Sequence, residues 1–344
     1  MTTITILGAG AMGSALATPY RAQGHEVRLW GTWLDDHLLD AVEAGEPHPR
    51  TQVPVAEGTR LFRSGEIEAA LDGAEYVVLA VASVGVEKVA ELALSGIARA
   101  RVLLLTSKGF APDAEGRIEL LPDAVRRVAA ASGTPLPPIV AVGGPCKANE
   151  VAADRWTATL YAGKDEAVVR EVAAALSSTT YRIEPSADEV GLEVSAPMKN
   201  VYAIALGLAD GLQEAHGEPF HNLKAATFAQ AVREIALLGQ ALGGRAETVY
   251  GLAGVGDLEV TGLSGRNKVY GSRIGAGEEA TEALAAMEAA EQTVEGVPAA
   301  GLAVRLARQV GGGLTERMPL LSAVADVIDG ADDPAGRVAA AVLP

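Results

Sequence analysis

Cysteine, aromatic and basic residues are all scarce in this 344-residue chain. The single cysteine, Cys146, excludes an intrachain disulfide and is typical of a reducing compartment, so we expect a cytoplasmic protein. Aromatic residues make up only 4% of the chain, which favours closely packed helices over a parallel sheet rather than an all-β fold. A formal net charge of −16 argues against nucleic acid or an anionic membrane as the main partner.

Long apolar runs are also missing. No stretch of about 18 apolar residues without a charge occurs, so we predict no membrane span. The first seven residues have no basic segment ahead of their apolar run, which argues against a signal peptide. Ala, Val, Leu and Gly are abundant instead, and a chain that is 49% hydrophobic and this long can form two domains with sizeable cores.

Strand-like and helical patterns alternate through the first half of the chain, which is typical of βαβ units and a parallel sheet. From residue 188 onward the pattern is helical without a strand signal, and it starts with one long helix over residues 189–212. We therefore predict an α/β Rossmann domain with a doubly wound parallel sheet over residues 1–188, and an all-α substrate-binding and catalytic domain over residues 189–344. The predicted strands are residues 4–7, 26–30, 76–81, 102–106 and 139–142, with an edge strand at 157–162.

The motif G-A-G-A-M-G follows the first predicted strand. In such a G-x-G-x-x-G pattern, Gly8 permits the tight turn, Gly10 lets the backbone approach a pyrophosphate, and Gly13 lets the next helix pack against the strand. The N-terminus of that helix, at Ala11 and Met12, supplies N–H donors and a favourable dipole. Because strand, turn, helix and second strand come in the required order, we predict a dinucleotide site.

The acidic residue that usually recognises NAD is missing. An Asp or Glu at the end of the second strand would bind the ribose 2′-hydroxyl, but residues 29–33 read L-W-G-T-W. Asp35 and Asp36 come later, and we predict that they begin a helix. Since nothing there excludes a 2′-phosphate, the cofactor is NAD or NADP with a slight preference for NADP, and Arg50 is expected to approach it from a later loop.

A further series of motifs runs through the chain in a fixed order, and it resembles NAD(P)-dependent sn-glycerol-3-phosphate dehydrogenase. The resemblance covers roughly residues 4–328. It implies an oxidoreductase that moves a hydride between nicotinamide and dihydroxyacetone phosphate or sn-glycerol 3-phosphate, and a homodimer formed through the helical domain. The motifs are Ser107-Lys108-Gly109, Gly144-Pro145-Cys146, Lys199-Asn200, G-L-A-G-V-G-D-L at residues 251–258, Thr261, Arg266-Asn267, Val294-Glu295-Gly296 and Met318-Pro319.

The resemblance also implies a role for each of these residues. Lys199 is the proton donor and Asp257 orients it; Lys108 lies beside Lys199, and two close ammonium groups lower each other's pKa toward working pH. Arg266 and Asn267 hold the substrate phosphate, for which a guanidinium fork is well suited. The other implied substrate contacts are Gly144, Cys146, Lys147, Asn200 and Thr261, and the cofactor contacts outside the glycine motif are Trp30, Arg50, Ala82, Lys108, Ala148, Arg266 and Glu295. No metal site is predicted.

The chain departs from the family pattern on the substrate side. Lys147 follows Gly144-Pro145-Cys146, where the family usually has G-P-S and then Phe or His. The loop at residues 261–267 is about two residues shorter than the family's. Two single residues also differ: Ala82 stands where the family has Pro, and Gln230 where it has Arg.

Three alternatives stay open. The first is an enzyme of the same family that acts on another phosphorylated ketose or polyol. The second is a ketopantoate-reductase-like protein, which shares only the glycine motif with this chain. A catalytically silent NAD(P)-binding sensor has no need of a proton donor, and the presence of Lys108, Lys199 and Asp257 speaks against it.

Overall fold

The computed structural model describes residues 1–343, which form two compact units. The first unit consists of Met1–Lys108 and Leu121–Glu189, and the second of Gly109–Leu120 and the chain from Val190 onward. The predicted domains, 1–188 and 189–344, differ from these units in two places: residues 109–120 group with the helical unit, and Glu189 groups with the first unit.

An eight-stranded sheet with helices forms the first unit, in the order β10-β9-β8-β5-β4-β1-β2-β3. Six neighbouring strands are mutually parallel: β8, β5, β4, β1, β2 and β3. Strand β9 is antiparallel to β8, and β10 is parallel to β9. The predicted Rossmann architecture is therefore confirmed. The strands of the chain are β1 (Thr3–Leu7), β2 (Glu26–Trp30), β3 (Arg60–Phe62), β4 (Tyr76–Leu79), β5 (Val102–Leu105), β6 (Phe110–Pro112), β7 (Ile118–Leu120), β8 (Ile139–Gly143), β9 (Thr157–Ala162) and β10 (Tyr181–Ser186).

The central strands are apolar on both faces because helices cover the sheet on both sides. Every residue of β4 and β5 is buried, and so are Ile4 and Ile6 of β1. The helices of this unit are α1 (Ala11–Ala22), α2 (Asp36–Glu43), α3 (Ile67–Leu71), α4 (Val86–Ile97), α5 (Leu121–Ala131), α6 (Ala148–Ala152) and α7 (Glu166–Leu176).

Residues 157–162 form a strand as predicted, but the prediction that it lies at the edge of the sheet is wrong. It is β9, and it lies inside the sheet between β8 and β10. The actual edge strand on this side is β10, whose sequence Y-R-I-E-P-S has charged residues and a proline. Such a strand is tolerated only at an edge, where one side of its backbone needs no partner. The same features hide it from a search for apolar runs.

Helices make up most of the second unit. Its first helix is the predicted long one, and it extends to residue 216. The unit also contains the hairpin β6–β7, which the sequence did not predict because each strand has only three residues. The Gln309 side chain both accepts from the Ile118 N–H (2.7 Å) and donates to its carbonyl (2.9 Å), which attaches the hairpin to a helix. The helices are α8 (Glu189–His216), α9 (His221–Ala241), α10 (Ala246–Tyr250), α11 (Asp257–Leu263), α12 (Arg266–Gly275), α13 (Ala280–Ala289), α14 (Gly296–Val310), α15 (Pro319–Ile328) and α16 (Pro334–Val342).

Helices α8 and α12 approach each other backbone to backbone. A Cβ atom at Gly207 would lie 2.0 Å from the carbonyl oxygen of Lys268, and one at Gly271 would lie 1.9 Å from that of Ile204. Only glycine allows so close an approach at these two positions. The packing sets the position of the start of α12, at Arg266, relative to the middle of α8.

A buried carboxylate connects α9 to the start of α15. Glu234 is fully buried and accepts hydrogen bonds from the Tyr202 hydroxyl, the Gln230 amide and the N–H groups of Leu320 and Leu321. These two N–H groups lack partners within their own helix, so Glu234 caps it. Across residues 1–343, no helix has the length and apolar character needed to cross a membrane.

Candidate active site

Four loops that contain predicted site residues leave the sheet of the first unit at one edge. They follow β1, β4, β5 and β8, and because these strands are parallel, the loops share the carboxyl edge. The Ser107 hydroxyl donates to the Val81 carbonyl at 2.6 Å, which connects the loops after β5 and β4. Open α/β sheets bind ligands at this edge, where the strand order reverses, which is between β1 and β4 here.

The glycine turn after β1 has the geometry that its sequence predicts. Gly8 has a φ of +117°, which favours glycine, and a Cβ atom at Gly13 would lie 2.0 Å from the Gly8 carbonyl oxygen. At Gly10, by contrast, a Cβ atom would meet no atom within 4 Å. The backbone at Gly10 therefore faces open space at the N-terminus of α1, which is the cradle that a pyrophosphate group requires.

The Asp35 carboxylate does not face the space where a ribose would lie. It points into the protein and accepts a hydrogen bond from the glycine turn. Its side chain is buried, and Oδ2 accepts hydrogen bonds from the N–H of Ala9 (3.3 Å) and from both the N–H and the hydroxyl of Thr32 (2.9 Å each). The prediction that Asp35 begins a helix is consistent with its place directly before α2. Its contact with Ala9 was not predicted, because Asp35 lies outside the motif.

Two of the predicted cofactor residues, Trp30 and Arg50, differ in exposure. Trp30 is fully buried, and its indole N–H donates to the Ser64 carbonyl at 3.3 Å, so its side chain belongs to the core. Arg50 is exposed, and no carboxylate within residues 1–343 pairs with it. His48, which no motif includes, is buried two residues before it and contacts Ala9.

The segment after β8 turns sharply before α6. The Cys146 N–H donates to the Gly144 carbonyl at 2.7 Å, Lys147 is the N-cap residue of α6, and Ala148 is its first residue. Cys146 and Lys147 are partly buried. At the other two predicted positions of this unit, Ala82 is exposed ahead of α4 and Lys108 is partly buried at the unit's end. The sheet edge therefore presents two lysines, from the loops after β5 and β8.

In the second unit, Lys199 lies at the centre of a buried polar cluster. Its side chain is 10% exposed, and Nζ donates to Asp257 Oδ1 at 2.7 Å and to the Thr261 hydroxyl at 2.8 Å. The hydroxyl of Thr261 in turn donates to the Asp257 carbonyl at 2.6 Å. The ammonium group thus has a fixed orientation and a counter-charge, as a positioned proton donor requires.

The glycine-rich motif before Asp257 explains how this carboxylate is placed. Residues Leu252–Gly256 form one π-helical turn that ends directly before Asp257. A Cβ atom at Gly254 would lie 2.1 Å from the Val249 carbonyl oxygen, so this turn packs against α10 only with glycine there. π-helical turns are rare and frequently found at functional sites.

A second polar group joins the starts of α12 and α14 to α8. The Asn200 amide donates to Glu295 at 3.1 Å, and the Asn267 side chain accepts from the Gly296 N–H at 2.8 Å. The Arg266 guanidinium is half-exposed and 3.6 Å from the Glu295 carboxylate. The second unit therefore brings together all seven of its predicted site residues, in two groups that meet at Lys199 and its neighbour Asn200. Within residues 1–343, no group of His, Cys, Asp and Glu side chains is arranged to hold a metal.

Comparison with known families gives two matches that together span most of the chain. Residues 3–169 match the model for the NAD-dependent glycerol-3-phosphate dehydrogenase N-terminus, and residues 188–338 match the model for its C-terminus. The chain is 34% identical to the NADP(+)-dependent glycerol-3-phosphate dehydrogenase of Archaeoglobus fulgidus over 308 residues, which is 89% of this chain and 90% of that one. It is also 34% identical to the glycerol-3-phosphate dehydrogenase [NAD(P)+] of Geobacillus kaustophilus, over 97% of this chain and 92% of that one.

Solved structures agree with these matches. The chain superposes on a glycerol-3-phosphate dehydrogenase from Coxiella burnetii with a TM-score of 0.85 and 28% identity, covering 100% of this chain and 99% of that one. Both compact units thus have counterparts in a single solved fold.

Proposed function

Because this chain belongs to the NAD-dependent glycerol-3-phosphate dehydrogenase family, we propose that it interconverts dihydroxyacetone phosphate and sn-glycerol 3-phosphate with NAD or NADP as cofactor. The single observation that carries this proposal is the buried cluster of Lys199, Asp257 and Thr261. A protein that only binds a dinucleotide has no need for a buried ammonium group held in one orientation.

Lys199 acts as the general acid in the direction of ketone reduction. A nicotinamide bound at the sheet edge would supply the hydride for the carbonyl carbon. The carbonyl oxygen gains negative charge as this bond forms, and it takes a proton from Lys199 Nζ. Asp257 and Thr261 keep Nζ in one direction, and in the oxidation of the alcohol the same amine accepts the proton back. Lys108 assists as a second cation.

Arg266 and Asn267 bind the substrate phosphate. A half-exposed guanidinium at the start of a helix has donors in a fork that matches a phosphate, and the N-terminus of α12 adds favourable N–H groups. The Glu295 carboxylate, 3.6 Å away, holds the guanidinium in the absence of an anion. Asn200, Gly144, Cys146 and Lys147 are the remaining substrate contacts.

Gly10, Ala11 and Met12, at the carboxyl edge of the sheet, would hold the pyrophosphate of the dinucleotide. Ala82, Ala148 and the backbone at Trp30 would contact the rest of it. NADP is favoured over NAD, because Asp35 is buried and its Oδ2 accepts three hydrogen bonds from the protein. Arg50 is exposed nearby in sequence and pairs with the 2′-phosphate.

The basic test follows the absorbance of NADPH or NADH after dihydroxyacetone phosphate is added to the protein. Turnover with this ketone supports the proposal. Turnover only with other ketose phosphates supports the second candidate below. Tight NADPH binding without turnover on any ketose phosphate would identify a catalytically silent sensor.

Replacing Arg50 by glutamine should weaken NADPH binding and leave NADH binding unchanged. An exposed guanidinium–phosphate pair gives about 1.5–3 kcal/mol, so the Kd of NADPH should rise about 10- to 100-fold. The measurement is titration of each cofactor by fluorescence or calorimetry. The effect should shrink at high salt, because screening weakens this pair in the wild-type protein.

The matched control is Arg60→Gln, which removes an exposed arginine of β3 in the same unit, where it pairs with Glu26 of the neighbouring strand β2. This variant should bind both cofactors as the wild type does. Equal losses for NADPH and NADH in Arg50→Gln would contradict a 2′-phosphate contact.

A second candidate function, the same chemistry on a larger phosphorylated ketose or polyol, is favoured by Lys147. This side chain adds a cation at the start of α6, where the family usually has Phe or His. Lys147→Phe should raise kcat/KM for dihydroxyacetone phosphate relative to a panel of ketose phosphates, by about tenfold if one polar contact of about 1.4 kcal/mol is lost.

The control for this prediction is Lys164→Phe, which changes a 64% exposed lysine of the first unit. It should leave the ratio between substrates unchanged. If Lys147→Phe also leaves the ratio unchanged, the larger substrate is excluded as an explanation for this lysine.

Two further parts of the proposal concern the cell and the assembly. We place the protein in the cytoplasm, which agrees with its single cysteine. We also propose a homodimer formed through the helical unit. Sedimentation equilibrium, which measures the mass of the assembly, tests whether the protein is a dimer.

A further inference from the structure

The short loop that contains Arg50 is closed by its own hydrogen bonds. The His48 N–H donates to the Val53 carbonyl at 3.0 Å, and the His48 carbonyl accepts from the N–H groups of Thr51 (3.1 Å) and Gln52 (2.8 Å). His48 and Thr51 are buried, whereas Arg50 is exposed. The loop therefore has a fixed backbone and exposes one guanidinium to solvent.

A single imidazole connects this loop to the glycine turn. His48 Nε2 lies 2.9 Å from the Ala9 carbonyl oxygen, and the Arg50 N–H donates to His48 Nδ1 at 3.2 Å. Nδ1 is therefore the acceptor and Nε2 carries the proton. Burial lowers the pKa of His48, which keeps the ring in the neutral form that can make both bonds at once.

Ala9 is also held through its N–H group. This N–H donates to Asp35 Oδ2, the atom that also accepts from Thr32. The turn that faces the pyrophosphate thus has one hydrogen bond to the segment after β2 and one to the Arg50 loop. Both bonds go to the residue between Gly8 and Gly10.

We propose that His48 is a positioning residue for NADP(H): its ring sets the place of Arg50 relative to the pyrophosphate turn. This inference rests on the proposed function, in which Arg50 pairs with the 2′-phosphate. The pyrophosphate and the 2′-phosphate belong to one nucleotide and are separated by a single ribose. Their two binding groups must therefore lie at a matched distance, and His48 bonds to both backbone segments that supply them.

The decisive variant is His48→Gln, whose amide can reach the position of Nε2 but offers no acceptor at the position of Nδ1. The bond to Ala9 is kept and the bond from Arg50 is lost. We expect the KM for NADPH to rise about tenfold, which is the effect of losing one polar contact. The kcat and the KM for NADH should stay within about twofold of wild type. Equal rises for both cofactors, or no change, would overturn the inference.

A matched control comes from a second buried histidine of the same unit. His25 accepts from the Thr2 N–H at Nδ1 (3.3 Å) and contacts the Ala175 carbonyl through Nε2 (2.9 Å), the same pair of bonds away from the glycine turn. His25→Gln should lose the equivalent bond, the one from the Thr2 N–H, without changing the ratio of the two KM values. A change in that ratio would show a general loosening and contradict a specific role for His48.

A double-mutant cycle separates this inference from the function on which it rests. If His48 acts through Arg50, His48→Gln should add little to the rise in NADPH KM in an Arg50→Gln background. No effect of Arg50→Gln alone would instead defeat the 2′-phosphate contact itself. A full effect of Arg50→Gln with an independent, additive effect of His48→Gln would defeat only the positioning role.

Hydrogen exchange on the wild-type protein gives an answer that does not depend on any variant folding. Binding of 2′,5′-ADP should slow exchange in residues 8–13 and 48–53 together, whereas 5′-ADP should slow it mainly in residues 8–13. Equal protection of both segments by the two nucleotides, or protection of neither, would overturn the proposal.

Discussion

Replacing Lys199 by methionine should lower kcat for the reduction of dihydroxyacetone phosphate by about 100- to 10,000-fold, the range that a general acid contributes. The Kd of NADPH should stay unchanged, because Lys199 is not among the expected cofactor contacts. Steady-state kinetics and a separate cofactor titration measure the two effects. The Tm should also fall, since Asp257 is 1% exposed and loses its counter-charge.

Two variants test whether the loss comes from the proton. Lys199→Arg keeps a cation for Asp257 but cannot release a proton at working pH, so it should restore the Tm and not the turnover. Lys224→Met removes a lysine that pairs with Asp210 at 2.7 Å, and Asp210 keeps Lys268 at 2.9 Å. This control should retain kcat. Turnover within about tenfold of wild type in Lys199→Met would exclude Lys199 as the acid.

Changing Gly10 to alanine should raise the Kd of both NADPH and NADH by about 10- to 100-fold, which corresponds to about 1.4–2.8 kcal/mol. The backbone there has φ −69° and ψ −176°, which alanine adopts without strain. The new Cβ would meet no protein atom within 4 Å, so the fold should keep its Tm. The methyl group instead occupies the space that the pyrophosphate needs.

Two other glycines define what this result means. Gly65→Ala also adds a methyl group where no atom lies within 4 Å, away from the turn, and should change neither Kd nor Tm. Gly13→Ala places its methyl group 2.0 Å from the Gly8 carbonyl oxygen and should lower the Tm as well as the affinity. An unchanged Kd in a well-folded Gly10→Ala variant would show that the pyrophosphate does not approach this residue.

Local pattern was sufficient for the strands and helices that have a strong apolar signal. Strands β1, β2, β4, β5 and β8 and the long helix α8 were predicted because buried segments between two layers must be apolar throughout. Strand β10 and the hairpin β6–β7 were not predicted. These are short or polar segments whose pairing is decided by distant partners, and no local rule describes such pairing.

The candidate site divides in the same way. The glycine turn could be predicted from six residues because its function is a backbone conformation, and Lys199, Asp257 and Arg266 were predicted from motifs that resemble a known family. The positions of Asp35 and His48 could not be, since each acts through one contact with Ala9 from 26 or 39 residues away in the sequence. Neither spacing nor residue type indicates such a contact.

The sequence alone determined the class of fold and the dinucleotide turn, because these depend on residue type at fixed local spacing. Tertiary structure alone decided that Asp35 is turned inward, that Asp257 and Thr261 both reach Lys199, and that one imidazole joins Arg50 to the pyrophosphate turn. Each of these facts is a hydrogen bond between segments far apart in the chain. Such bonds form only after the apolar layers have packed and brought the two segments together.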